Sequence, residues 1–284
     1  MTLEVYGTYP AQTYEPPKEL VAKIKKKHGN PVGIGLANEI DTNMAMRAIM
    51  YSFGSSVQDE AGNLALDSKE TVEAVKFVKA LYQECMTEEV FTWDASANNR
   101  FMISGKGSLA LNAISITRTA EKQDPEMEKK IWLAKACKGP VRRIGLEHVM
   151  DVYAIWKFAE NIEGAKKFLI DYVSNFRRAF MASEFYNFPC FAQTVPDLKE
   201  LIANDKKAQP PDKYKVLEDV LDWATNVGYP GYCTAAIDEI YSTWIISTMF
   251  ARVASGMMDP QDAVSSTAKS CDGIFKKWRE RGLA

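Results

Sequence analysis

Residues 93–121, WDASANNRFMISGKGSLALNAISITRTAE, are the stretch on which the reading of the whole chain turns. Trp93, Asn98, Asn99 and Arg100 lead into a short apolar run, Phe101 to Ser104, which stops at Gly105-Lys106-Gly107 as helices do. Ser108-Leu-Ala-Leu-Asn112 then alternates in the manner of a short strand. Ser115, Thr117 and Thr119 open an amphipathic run, where the free N–H groups of a helix start face solvent or a ligand. Indole, amides, guanidinium and hydroxyls gathered this closely suit the wall of a polar-ligand site. An ordinary helix–turn–strand–helix unit accounts for the same pattern.

Upstream, Pro17 suits the first turn of a helix that runs to about His28. Val32-Gly-Ile-Gly-Leu36 reads as a buried strand, and residues 37–43, with Asp41 and Asn43, as the polar loop leaving its C-terminal end. Open α/β sheets present ligand groups at such loops. A methionine-rich helix from Met44 to about Phe53 follows, and Ser68 caps a long helix whose apolar stripe is Val72, Val75, Val78, Leu81 and Cys85.

Downstream, Ile131 to Lys135 predicts a short strand and Leu146 to Trp156 the longest β-like run of the chain. That run carries Glu147, His148 and Asp151, an acid/base set in composition. On a strand Glu147 and Asp151 share one face and His148 takes the other, which favours ligand contact or a strand-end network over catalysis. From Glu160 the pattern turns helical: one stripe through about Phe185, helices at 197–204 and 212–223, a stripe from Ile237 to Val253, and a last helix opened by Asp259-Pro260. Between these lies Asn226-Val-Gly-Tyr-Pro-Gly-Tyr232, a second polar-aromatic loop offering the faces of Tyr229 and Tyr232.

With 284 residues, 46% of them apolar and 25% charged, the chain has material for a packed core and for two lobes. A net charge of −2 and no basic stripe interleaved with aromatics argue against nucleic acid as a partner. Five widely spaced cysteines and two histidines form neither a zinc pattern nor a disulfide framework, so the cysteines read as small buried apolar groups and no metal or cofactor is expected. Phosphate-loop, nucleophile-elbow and zinc-protease motifs are not found, which favours a binding protein over an enzyme. Met1-Thr-Leu-Glu-Val does not read as a signal peptide.

The order of Gln12-Thr-Tyr-Glu-Pro-Pro-Lys-Glu-Leu20, Phe53-Gly-Ser55 with Asp59-Glu-Ala-Gly62, Asp67-Ser-Lys-Glu70 and Arg100-Phe-Met-Ile-Ser-Gly-Lys-Gly-Ser108, then Ile162-Glu-Gly-Ala-Lys-Lys-Phe-Leu169, Phe188-Pro189 and residues 256–263, resembles the family 1 extracellular solute-binding proteins of ABC importers, the maltose-binding-protein-like group. The resemblance implies a two-lobed α/β fold of the periplasmic-binding-protein type with a helix-rich second half, in which a hinge motion traps the solute. It implies a complete C-terminal lobe at 1–145 plus 230–284 and part of the N-terminal lobe at 146–229. A complete member begins with a signal peptide and a first α/β segment, so the expectation is that this chain starts after that segment, exposes apolar surface at 146–229, and has a route to self-association there.

By position, the family's pocket falls on Asp41, Asn43, Trp93, Asn98, Asn99, Asn112, Ser115, His148, Tyr229 and Tyr232. The implied ligand is a sugar or similar small polar solute, the implied partners are permease subunits, and the implied location is periplasmic or extracellular. Sugar-binding members often place a tryptophan just beyond the Asn112 position, where this chain has Ile114-Ser115-Ile116, which points to a smaller or more polar solute than a large oligosaccharide. The competing readings are a carbohydrate-active enzyme, pairing Glu147 or Asp151 with Asp41 or Asp94, and a protein-interaction domain.

Overall fold

The computed structural model describes residues 15–147 and 152–283. Helix α1 spans Glu15–His28 and ends in three lysines and a histidine, charges that complement the partial negative end of the helix dipole. Helix α2, Ile40–Ser52, begins earlier than its apolar pattern predicts. The Glu39 carboxylate accepts from the backbone N–H groups of Asp41 at 2.7 Å and Thr42 at 2.5 Å, caps the first turn, and so draws Asp41 and Asn43 into the helix and out of the expected loop. Helix α3, Lys69–Cys85, is capped as expected by Ser68, whose hydroxyl accepts from Thr71 N. Its stripe of Val72, Val75, Val78 and Leu81 is buried, each side chain contributing about 1.5–3 kcal/mol.

Helix α4 is Ala97–Ile103, α5 Ser115–Gln123 and α6 Pro125–Glu128. Strand β1 is only Leu146–Glu147, paired in parallel with β2, Ala224–Thr225. The long strand expected over 146–156 is therefore cut short: 152–155 has no strand pairing, and 148–151 lies outside the described residues. Residues 131–135 form no strand either. Helix α7 is Ile162–Ser174 and α8 Phe176–Ala182, so the single predicted stripe is two helices. Helix α9 is Leu198–Ala203. The helix expected over 212–223 is instead two short 3₁₀ turns, Lys213–Leu217 and Val220–Asp222. Helices α10, Ala235–Ser242, and α11, Ile245–Ala254, divide the next stripe at Trp244, whose φ of 60° is left-handed and breaks the helix. Helix α12, Pro260–Glu280, is capped by Asp259 with Pro260 in its first turn.

The described residues fall into two compact units, 15–116, 134–147 and 220–283 in the first, 117–133 and 152–219 in the second. This division differs from the boundaries read from sequence in placing 117–133 with the second unit and 146–147 and 220–229 with the first. In the first unit α3 packs most extensively on α11, and α2 and α12 complete a core that includes Val32, Ile34 and Leu36. The second has a small core around Phe180, Ile202, Ala208 and Tyr214, all fully buried, with Phe185 stacked on Phe180 at 4.9 Å. No helix among the described residues is long and apolar enough to cross a membrane.

Candidate functional site

Two extended segments of the first unit lie side by side. Val32 bridges Leu109 in parallel, Gly33 N donates to Leu109 O at 2.7 Å, and Ser108 N donates to Pro31 O at 2.9 Å. These are the expected strands reduced to a single bridge; elsewhere the Val32–Leu36 backbone bonds to helical ends, Val32 N to Cys85 O at the close of α3 and Leu36 N to Val90 O in the 3₁₀ turn Glu88–Thr92. Glycine is needed at position 33, where an added Cβ would come within 2.6 Å of the Phe101 ring and 3.2 Å of the Trp93 ring. Trp93 itself stands half-buried against Phe101, ring centroids 5.2 Å apart.

Beyond the C-terminal ends of these segments, five of the sequence-predicted site residues form one hydrogen-bonded chain. Asn98 Nδ2 donates to Asp41 Oδ2 at 2.8 Å, and Asn98 Oδ1 accepts from Asn99 N at 2.7 Å. Asn112 Nδ2 donates to Asn99 Oδ1 at 2.9 Å, and Ser115 Oγ lies 3.4 Å from that same oxygen. Asn112 Oδ1 in turn accepts from Ala113 N at 2.6 Å, fixing which end of the amide faces Asn99. Asn98 is 4% exposed, whereas Asp41, Asn99, Asn112 and Ser115 are only half-buried, so the network has an inner anchor and an accessible edge. Burial pushes the Asp41 carboxyl above its ordinary value, the Asn98 hydrogen bond opposes this, and the Glu39 charge adds to it. A carboxylate, amides and a hydroxyl in one row offer the alternating acceptors and donors that neighbouring hydroxyl groups of a polyol require.

The other predicted residues lie differently. Asn43 is fully buried, its Nδ2 donating to Tyr241 O at 3.0 Å, which makes it part of the packing between α2 and α10. His148 lies outside the described residues. Tyr229 and Tyr232 belong to a second cluster of the same unit, the 226–232 loop. Tyr229 is half-buried, edge-on to Tyr51 at 5.3 Å, and accepts a hydrogen bond from Arg142; Tyr232 is 86% exposed. The loop is gripped by residues that the sequence reading passed over. Arg47 Nη2 donates to Val227 O at 2.8 Å, and Gln58 Nε2 donates to Gly228 O at 2.7 Å and to Tyr232 O at 2.8 Å. Arg47 was the more legible of the two, a lone cation inside the apolar run Met44 to Tyr51 and fully buried in the structure. Gln58 carries no such signal.

Asp94, named for the enzyme reading, is exposed and held by both carboxylate oxygens to Arg100 Nη2 at 3.0 Å; that hydrogen bond and those from Ser96 lower its pKa to about 2. A carboxyl so engaged is a clamp on the entry to α4, not a general acid near neutrality. None of the five cysteines is in a disulfide: Cys85 and Cys271 are buried as expected, and burial pushes them up to about 11 and about 12, but Cys190 and Cys233 are exposed. Among the described residues no group of histidine, cysteine and carboxylate side chains is placed to hold a metal ion.

No family model matches the chain. It is 25% identical over 272 residues, 94% of its length, to proteins of Brucella abortus strain 2308 and Brucella suis biovar 1 strain 1330 described as binding proteins, and it spans 62% of their length. Among solved structures, it superposes on a sugar transporter of Arthrobacter chlorophenolicus A6 with bound laminaribiose at a TM-score of 0.75, with 14% identity, covering 96% of this chain and 67% of that one. It superposes on an ABC transporter solute-binding protein of Thermotoga lettingae TMO bound with α-D-tagatose at a TM-score of 0.67, with 18% identity, covering 93% and 65%. At such identities the likeness is one of fold: the chain has the helix-rich α/β fold of the periplasmic solute-binding proteins, as its ordered motifs implied.

Proposed function

We propose that this protein captures a sugar or a similarly hydroxylated small solute for an ABC importer and hands it over unchanged. The observation that carries the reading is the hydrogen-bonded row of Asp41, Asn98, Asn99, Asn112 and Ser115, drawn from three separate stretches to the ends of two adjacent extended segments. The fold supports it, since structures sharing that fold hold laminaribiose and α-D-tagatose. Permease subunits as partners, a site of action outside the cytoplasmic membrane, and the lack of turnover all follow from the same reading.

The test is a thermal-shift and calorimetric screen of the natural protein against mono- and disaccharides, polyols and glycerol derivatives, with recovered solute checked by chromatography. A solute at about a hundred times its Kd stabilises the folded state by about 2.7 kcal/mol, a clear rise in melting temperature. Chemically unchanged solute, and loss of the rise in Asn99→Ala with Asn112→Ala, are the expected results. Conversion of a sugar, or stabilisation by none of them, rejects the proposal.

A further inference from the structure

The hydrogen-bonded row of the candidate site ends, on one side, in a charge. Asn98 is 4% exposed and has both ends of its amide engaged, Nδ2 on Asp41 Oδ2 at 2.8 Å and Oδ1 on Asn99 N at 2.7 Å, so the accessible group at that end is the Asp41 carboxylate. Its second oxygen, Oδ1, accepts no hydrogen bond and is not sealed from solvent. The Glu39 carboxylate, two residues away, is committed to the backbone N–H groups of Asp41 and Thr42, and its charge adds to that of Asp41. Among the described residues no basic side chain acts on Asp41: the influences on its carboxyl are burial, the Asn98 hydrogen bond and the Glu39 charge. Arg100, the basic residue of α4, is taken up 3.0 Å from both oxygens of Asp94.

Other sheltered carboxylates of the chain are neutralised in place. Glu121, Glu128, Glu184, Asp205 and Glu239 are buried or half-buried, and each stands against a lysine or an arginine. A partly desolvated carboxylate gains most from a nearby cation, and an ammonium group brings three N–H donors and no acceptor. Resting on the reading of this row as a solute site, we propose that the solute is an amino sugar or amino polyol whose protonated amine sits on Asp41 while its hydroxyls meet Asn99, Asn112 and Ser115. A neutral hydroxyl donates to Asp41 but leaves the carboxylate charge unbalanced. A uronate or a sugar phosphate meets Asp41 and Glu39 as like charges and is turned away.

The test is calorimetry on the natural protein at slightly acid pH, where sugar amines are protonated. D-glucose, D-galactose and D-mannose are each compared with their 2-amino-2-deoxy, N-acetylated 2-amino and uronate forms. The N-acetylated form keeps the nitrogen and removes its charge, which separates charge from shape. Expected is at least one 2-amino sugar bound about tenfold or more tighter than both its parent and its N-acetylated form, with the uronates unbound. That preference shrinks as salt is added and falls to near unity in Asp41→Asn. The N-acetyl comparison and the salt series need no variant, so the outcome does not hang on Asp41→Asn folding. A parent sugar bound as tightly as its amine in every set, or a preference that persists in Asp41→Asn, overturns this proposal and leaves the solute-capture reading standing. Binding of none of the sugars, charged or neutral, removes that reading and this proposal with it.

Discussion

Asn98 and Asn99 are neighbours with opposite jobs. Asn98 is almost fully buried, with one end of its amide on Asp41 and the other on the backbone of Asn99. Asn98→Ala strands a partly desolvated carboxylate, and the expected cost is about 1–3 kcal/mol in urea unfolding, with weakened solute binding. Asn99 sits at the accessible edge, so Asn99→Ala should lower affinity with less than about 1 kcal/mol of stability lost. The pair of measurements separates positioning from contact. Asp41 adds a pH signature. Its folded pKa is raised by burial, so the native state holds a proton that the unfolded chain releases near 3.8. Its contribution is fully favourable below 3.8 and is lost as pH rises through the raised folded value. Urea midpoints across the acid range should therefore show a downward slope with rising pH that Asp41→Asn removes.

At the scale of elements, most helices were legible, the one expected over 212–223 excepted, and strands were not. The stripes of α3 and α12 repeat at helical spacing and carry conventional caps, Ser68 and Asp259, so pattern and structure agree. Helix α2 starts four residues early because Glu39, outside the usual set of capping residues, takes that role. Trp244 splits a continuous stripe in a left-handed conformation that nothing in its side chain favours. The β-like run after Leu146 has strand composition, but among the described residues it finds a partner only in Ala224–Thr225; β-propensity without a neighbouring strand yields no sheet. The candidate site was legible where polar residues cluster locally, as at 98–99 and 112–115, and hidden where the work is done by reaching across sequence. Gln58 is the clearest case, holding two carbonyls some 170 residues away. Gln58→Ala leaves the Gly228 and Tyr232 carbonyls without that donor. The expected result is a loss of about 1–3 kcal/mol and faster hydrogen exchange confined to 226–233, with α3 unaffected.

At the scale of the molecule, the two units are stabilised by different means. The first relies on a continuous apolar core, whereas the second joins a small aromatic core to charges withdrawn from water. Arg118 is paired with Glu121 and Asp205 and lies 3.8 Å over the Tyr214 ring, and Tyr214 donates to Glu121 at 2.7 Å. Burial pushes the Tyr214 phenol upward, so it stays a donor throughout the ordinary pH range. Deeper still, Lys213 Nζ donates to the Glu128 carboxylate and, at 2.9 Å, to the Glu128 carbonyl, with side-chain exposures of 1% and 2%. Removing water from both charges offsets most of their attraction, so the net worth of the pair is small while the penalty for leaving one alone is large. Lys213→Met alone should destabilise the second unit by about 3–5 kcal/mol, whereas Lys213→Met with Glu128→Leu should recover most of that loss. Hydrogen exchange resolved by unit reads the difference directly, with the first unit as internal reference. Near-additive losses in the double variant would mean that Lys213 acts mainly through its bond to the Glu128 carbonyl, which the double replacement does not restore.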